Sequence, residues 1–204
     1  MGQKLGINPW INIWISPKKT IRAIIAFREK INFFLLASIA LLQKFLFFSV
    51  YFGLKFSWVY VFCFILVLIS SPFLGALWFY FYSYLLHTTG KWLKGIASFS
   101  QICTVFSWSK VPLIIDIFMW FILLTFSAEH LFVHYSLGIS FLFIHIIFFM
   151  TAFWSLILLI IGMQEVQKFS LLKTIINVFL SYLAFLLIAM AINFIYIFIF
   201  SLFN

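Results

Sequence analysis

The sequence predicts an all-α integral membrane protein with five transmembrane helices, N-terminus inside and C-terminus outside. Three observations carry that expectation: the composition, a series of long apolar runs, and the placement of the basic residues between them. Of the 204 residues, 66% are hydrophobic, 23% aromatic and only 8% charged, and the mean hydropathy is +1.22. Soluble domains carry about 25% charged residues, so this chain has too few to cover a water-facing surface. At this length a single domain is expected.

A membrane span needs about 20 mostly apolar residues. Five runs meet or approach that length, at 31–52, 56–86, 111–128, 137–161 and 171–203. The second is interrupted at Ser70-Ser71-Pro72. Read as a hairpin, each half would have only about 15 residues, too short to cross. One long helix, kinked or tilted at Pro72, is the expectation.

Charge placement tests the count independently. With five spans, one side holds Lys4, Lys18, Lys19, Arg22, Arg28, Lys30, Lys91, Lys94, Lys110, Lys168 and Lys173, eleven of the thirteen basic residues. The other side holds Lys55, and Lys44 falls within the first span. Retention of Lys and Arg in the cytoplasm produces this asymmetry. A hairpin in the second run would send Lys91, Lys94 and Lys110 outward, against the rule. The net charge of +9 therefore points to anionic lipid headgroups as the partner, and not to nucleic acid. Cys63 and Cys103 supply neither a disulfide framework nor a metal spacing.

Residues 1–30 form a basic amphipathic cytoplasmic head, and 31–204 the five-span membrane domain. In the head, Ser16 and Pro17 suit the N-cap and first turn of a helix. Ile21, Ile24, Ile25 and Arg28 recur at helical spacing, with Lys18, Lys19, Arg22 and Glu29 largely opposite. Such a helix is expected to lie on the inner leaflet, with Trp10 and Trp14, four residues apart, at headgroup depth. In the second connection, Ser98 is placed to cap a short helix with an apolar face of Phe99, Ile102, Cys103 and Phe106. At about 11 residues it is too short to span, so it should lie in the interface or dip in and return before Pro112. Gly90 and Gly95 are the expected turn residues.

Three segments resemble the Yip1 domain family, especially its short bacterial members. They are the head PWINIWISPKKTIRAII, the connection SFSQICTVFSWSKVP and the connection GMQEVQKFSLLKTI. Their order and spacing cover nearly the whole chain; the Phe-rich spans and Trp92 depart from the pattern. The resemblance implies five spans with a cytosolic N-terminus. It also implies a bacterial inner (plasma) membrane location. Eukaryotic members act in vesicle traffic with small GTPases through a longer N-terminal region; with about 30 residues there, this chain is not expected to share that role.

Ionisable groups at membrane depth are functional candidates by default. At 1.5 Å per residue, Asp116, Asn177 and Ser155 fall roughly 8 Å from the inner side, and Gln43 and Lys44 roughly 18–20 Å. Asp116 and Lys44 are then poorly matched as a pair, and Gln43 with His145 is the expected hydrogen bond, Lys44 snorkelling outward. Glu129, His130 and His134 form EHLFVH, a weak zinc candidate lacking a fourth ligand and the order of zinc proteases. No phosphate loop, nucleophile elbow or paired carboxylates occur, so neither enzymatic activity nor a cofactor is expected. The expected working surface is Trp10, Trp14, Lys18, Lys19, Arg22, Lys91 and Lys94, facing lipid, other membrane proteins or a second copy. A small ion or solute transporter using Gln43, Lys44, Asp116 and His145 is the alternative.

Overall fold

A computed structural model of the chain describes residues 8–27, 33–51, 58–133 and 139–203. Among them are eight helices and no strand: α1 (Pro9–Ile15), α2 (Pro17–Phe27), α3 (Phe33–Tyr51), α4 (Trp58–Trp92), α5 (Phe99–Trp108), α6 (Leu113–Val133), α7 (Ile139–Gln167) and α8 (Leu171–Phe203). Helix is what hydrocarbon demands, since each backbone N–H and C=O is then satisfied within its own segment. Four stretches are long and apolar enough to cross a membrane: α4, the Phe99–Ile122 stretch joining α5 to α6, most of α7 and most of α8. α3 is apolar but shorter by that measure.

The second apolar run is one continuous helix of 35 residues with Pro72 inside it. Proline at 72 has no N–H to give to the Leu68 carbonyl, which would be left without its partner. The Ser71 hydroxyl donates to that carbonyl at 2.9 Å. Ser70, beside it, donates to the Leu66 carbonyl at 2.7 Å. The Ser-Ser-Pro sequence thus repairs the break it creates.

α3 and α4 make the most extensive helix pair. Buried Ala37 on α3 faces buried Gly75 on α4, and the small Ala40 and Ala76 are buried as well. Small side chains allow backbones in lipid to approach closely, so that dispersion contacts accumulate. A Cβ at Gly75 would overlap the Ala37 carbonyl.

The first large core lies at the end of the bundle formed by α1, α2 and α5, here called the head end. It contains Ile13, Ile21 and Ile24 of the head, Ile102, Val105, Phe106 and Trp108 of α5, and Leu158, Leu159 and Met163 of α7. A smaller cluster of Leu46, Tyr60, Trp120 and Phe148 joins α3, α4, α6 and α7 towards the far end.

Two expectations change. α5 does form on a Ser98 cap, with a full capping box to Gln101. Its burial extends beyond the expected apolar face, however: Val105, Ser107 and Trp108 are buried as well as Ile102, Cys103 and Phe106. Neighbours α2, α3, α4 and α7 enclose it. Gly90 does not make a turn; it lies buried inside α4, where Gln167 and Asn177 approach it closely. The turn is made by Lys94, at φ 63°. The Gly95 N–H bonds the Gly90 carbonyl at 2.8 Å, and the Lys94 N–H bonds that of Lys91 at 3.0 Å. This is the paired bonding that closes a helix on a left-handed residue.

Overpacking costs about 1–3 kcal/mol even where side chains yield, and the Ala37 backbone cannot. Gly75→Leu should therefore lower the melting temperature of the detergent-solubilised protein by several degrees. Leu74→Ala, at an exposed neighbour, should leave it nearly unchanged.

Candidate functional site

The head folds as two short helices in sequence. Asn8 caps α1 by accepting from the Trp10 N–H at 3.1 Å, and Pro9 and Pro17 stand at the first turns of α1 and α2, where a missing N–H is harmless. Trp10 does not point away from the protein: its ring sits 5.1 Å from that of Trp108, and Trp14 packs on the same core. Ile21 and Ile24 of α2 are buried. Gly162 of α7 leaves the space that the Ile21 and Val105 side chains enter. The apolar face of α2 is thus covered by α5 and α7, both of which it contacts.

The polar face of α2 meets one carboxylate. Glu165 lies on α7 beyond the apolar run that ends at Ile161, and only 7% of its side chain is exposed. The Arg22 Nε donates to its Oε1 at 2.9 Å, the Lys168 Nζ to the same oxygen at 2.9 Å, and the Lys18 Nζ stands 3.8 Å from Oε2. The three basic side chains are 60–65% exposed. The Arg22 hydrogen bond, with Lys168 assisting, outweighs burial and holds the Glu165 carboxyl far below its usual range, at about 2. In return Glu165 raises the already high pKa of Arg22. Three cations against one anion leave this patch positive, and Lys19, Lys91 and Lys94 are exposed besides.

A family model for the Yip1 domain matches residues 11–193. The chain belongs to the Yip1 domain family. The match runs from α1 into α8 and takes in α2, α5 and Glu165 as well as the long helices. Among curated proteins and solved structures, nothing matches significantly. With several helices apolar and long enough to cross, this Yip1 protein is an integral membrane protein.

The polar groups of this Yip1 chain fall into separate clusters. Asp116 is buried and its Oδ1 accepts from the Thr151 hydroxyl at 2.6 Å, while Oδ2 has no partner among the described residues. Thr151 also faces the Phe148 carbonyl at 2.9 Å, so one hydroxyl proton serves two acceptors. One turn along α7, Ser155 accepts from the Lys110 Nζ at 3.1 Å. Asn177 is elsewhere: its Nδ2 donates to the Thr89 hydroxyl at 2.8 Å and to the Leu86 carbonyl at 3.2 Å. Thr89 also pairs with Ser181 at 2.7 Å, so the polar groups of α8 are fastened to α4. Gln167 completes this corner by accepting from the Ala97 N–H at 3.1 Å. Of the groups expected at one depth, Asp116 of α6 reaches Thr151, one turn from Ser155 on α7, and Asn177 does not join them.

Lys44 does not pair with Asp116. Its Nζ lies 4.2 Å over the ring of Trp78, a cation–π contact. Gln43 is half-buried on α3, and His145 is exposed on α7 beside the rings of Phe47 and Phe148. Glu129 and His130 lie in α6, and His134 lies outside the described residues. Among the described residues, no group of three His, Cys, Asp or Glu stands together. Sequence reasoning missed Glu165, Gln167 and Thr89. The signal for Glu165 was its isolation, one of four acidic residues in the chain, in a connection with lysines.

The carboxylate is buried and its cations are exposed, so losing them should be unequal in effect. Stranding a buried charge is strongly destabilising, whereas freed surface cations return to water. Arg22→Gln with Lys168→Gln should therefore lower the melting temperature more than Glu165→Gln does. Because the Glu165 pKa is depressed on folding, its contribution is complete above about 4.5 and is lost as pH falls towards about 2. A thermal melt series across that window reads the loss, and Glu165→Gln should flatten it.

Proposed function

We propose that this Yip1 protein is a non-enzymatic organiser or partner-binding protein of a bacterial inner membrane. α3 joins the four longer apolar stretches to give five spans, with the N-terminus in the cytoplasm and the C-terminus outside. The head end is then the cytoplasmic working surface, composed of Lys18, Lys19, Arg22, Lys91 and Lys94 with Trp10 and Trp14 packed behind. The observation that carries this reading is the α2 clamp. An amphipathic helix whose apolar face is occupied by α5 and α7 is free to present its cations outward. Glu165 neutralises only one of the three charges it touches, and the excess is suited to lipid phosphates or an acidic partner.

Changing Lys18, Lys19 and Arg22 together to Gln is the direct test. Retention of phosphatidylglycerol through detergent washing, or of a co-purified membrane partner, should fall several-fold. Unchanged retention, with the head still on the cytoplasmic side by cysteine labelling, would count against the proposal.

A second reading, ion or solute transport, draws on Asp116, a buried carboxylate with one oxygen unpaired among the described residues. Transport through that group requires it to exchange a proton or cation. Asp116→Asn should then abolish flux in proteoliposomes without unfolding the protein, and a wild type that carries no ion removes this reading.

A further inference from the structure

The two halves of α8 are unlike. Thr174, Asn177 and Ser181 in the first half are buried, and α4 and α7 are the helices α8 touches. From Leu186 to Ser201 every residue is exposed, on all sides of the helix. Apolar exposure alone means little in lipid, because hydrocarbon covers Leu and Phe as well as protein does. Asn193 is different. It stands among AMAI and FIYIFIF, is exposed, and hydrogen-bonds no other described residue.

The length of α8 sets its depth. Thirty-three residues make a helix about 50 Å long, well beyond a hydrocarbon core of about 30 Å. If Asn193 were raised to the far headgroups, Phe194–Phe200, seven apolar residues in succession, would stand in water. Tilting keeps them in lipid and carries Asn193 in with them. There its amide, two donors and an acceptor, finds nothing in acyl chains to bond.

We propose that a second copy of the chain covers this face, the two α8 helices pairing through Asn193. A carboxamide is complementary to itself, donating to and accepting from an identical group. Both copies insert in the same sense, so a two-fold axis along the membrane normal brings the two Asn193 side chains to the same depth. Ala189, one turn earlier on the same face, lets the helices approach closely. No group from the inner-face surface takes part, so this proposal stands or falls separately from the proposed function.

The test uses the full chain in phosphatidylcholine–phosphatidylglycerol vesicles. Copies labelled separately with donor and acceptor are diluted with lipid, and energy transfer is followed. Wild type should associate, Asn193→Leu should weaken association about tenfold, and Asn193→Gln should largely retain it. Ala189→Phe should also weaken it, whereas Ile195→Phe, on the opposite side of the helix, should not. Asn193→Leu needs no new packing, so its folding is secure against the bundle. A monomeric wild type, an Asn193→Leu variant as associated as wild type, or equal effects at 189 and 195 would each overturn the proposal.

Discussion

The burial of α5 is the interaction on which the rest of this Yip1 protein depends. This ten-residue helix packs against α2, α3, α4 and α7, and Trp108, Val105 and Ile102 are almost wholly removed from the surface. A helix this short has no stability of its own; it forms because its capping box starts it and its neighbours bury it. In turn it gives the head something to hold. Trp10 meets Trp108, Ile21 meets Val105, and α2 is thereby brought to the one buried carboxylate that can receive Arg22. Without α5, the basic head would lose Trp108 and Val105 and keep only part of its apolar cover, that supplied by α7.

Polar contacts are distributed to match. The head end is tied by side-chain hydrogen bonds and ion pairs: Glu165 with its three cations, Gln167 to the backbone at 97, and Thr89 with Asn177 and Ser181. Among the described residues, the far end shows aromatic contacts, as between Trp120 and Phe148 or Phe45 and Tyr60. In lipid, apolar contacts between helices compete with equally apolar solvent, whereas a satisfied hydrogen bond and a close backbone crossing do not.

Much of this was legible in the sequence. Membrane residence, the long second helix and the capped helix at 98 follow from local rules about hydropathy, proline and serine that hold whatever the tertiary fold. α1 was not anticipated, although Asn8 caps it and Pro9 stands in its first turn. What was not legible depends on neighbours. Nothing at 99–108 distinguishes a helix resting on lipid from one buried among other helices, because both are apolar on the face one can read. Gly90 looks like a turn in sequence and proves to be a place of close approach. Asp116 and Asn177 lie at similar estimated depths, yet the bundle separates them, since depth says nothing about which helices are adjacent. Glu165 lies in the GMQEVQKFS segment that carries the family resemblance, yet only the fold shows that three cations converge on it.

Lys94 and Lys168 both take a left-handed backbone conformation, at φ 63° and 56°, directly after α4 and α7. That conformation costs a side-chain-bearing residue about 1–2 kcal/mol, and glycine would adopt it freely. A positive charge just past a helix C-terminus recovers part of this through the helix dipole. At both positions a backbone that favours glycine carries an ammonium group instead, so the two helix ends that turn the chain back also fix where charge stands. The arrangement makes chain reversal and surface potential a single property: a glycine at either site would relax the turn and discharge the surface in the same stroke.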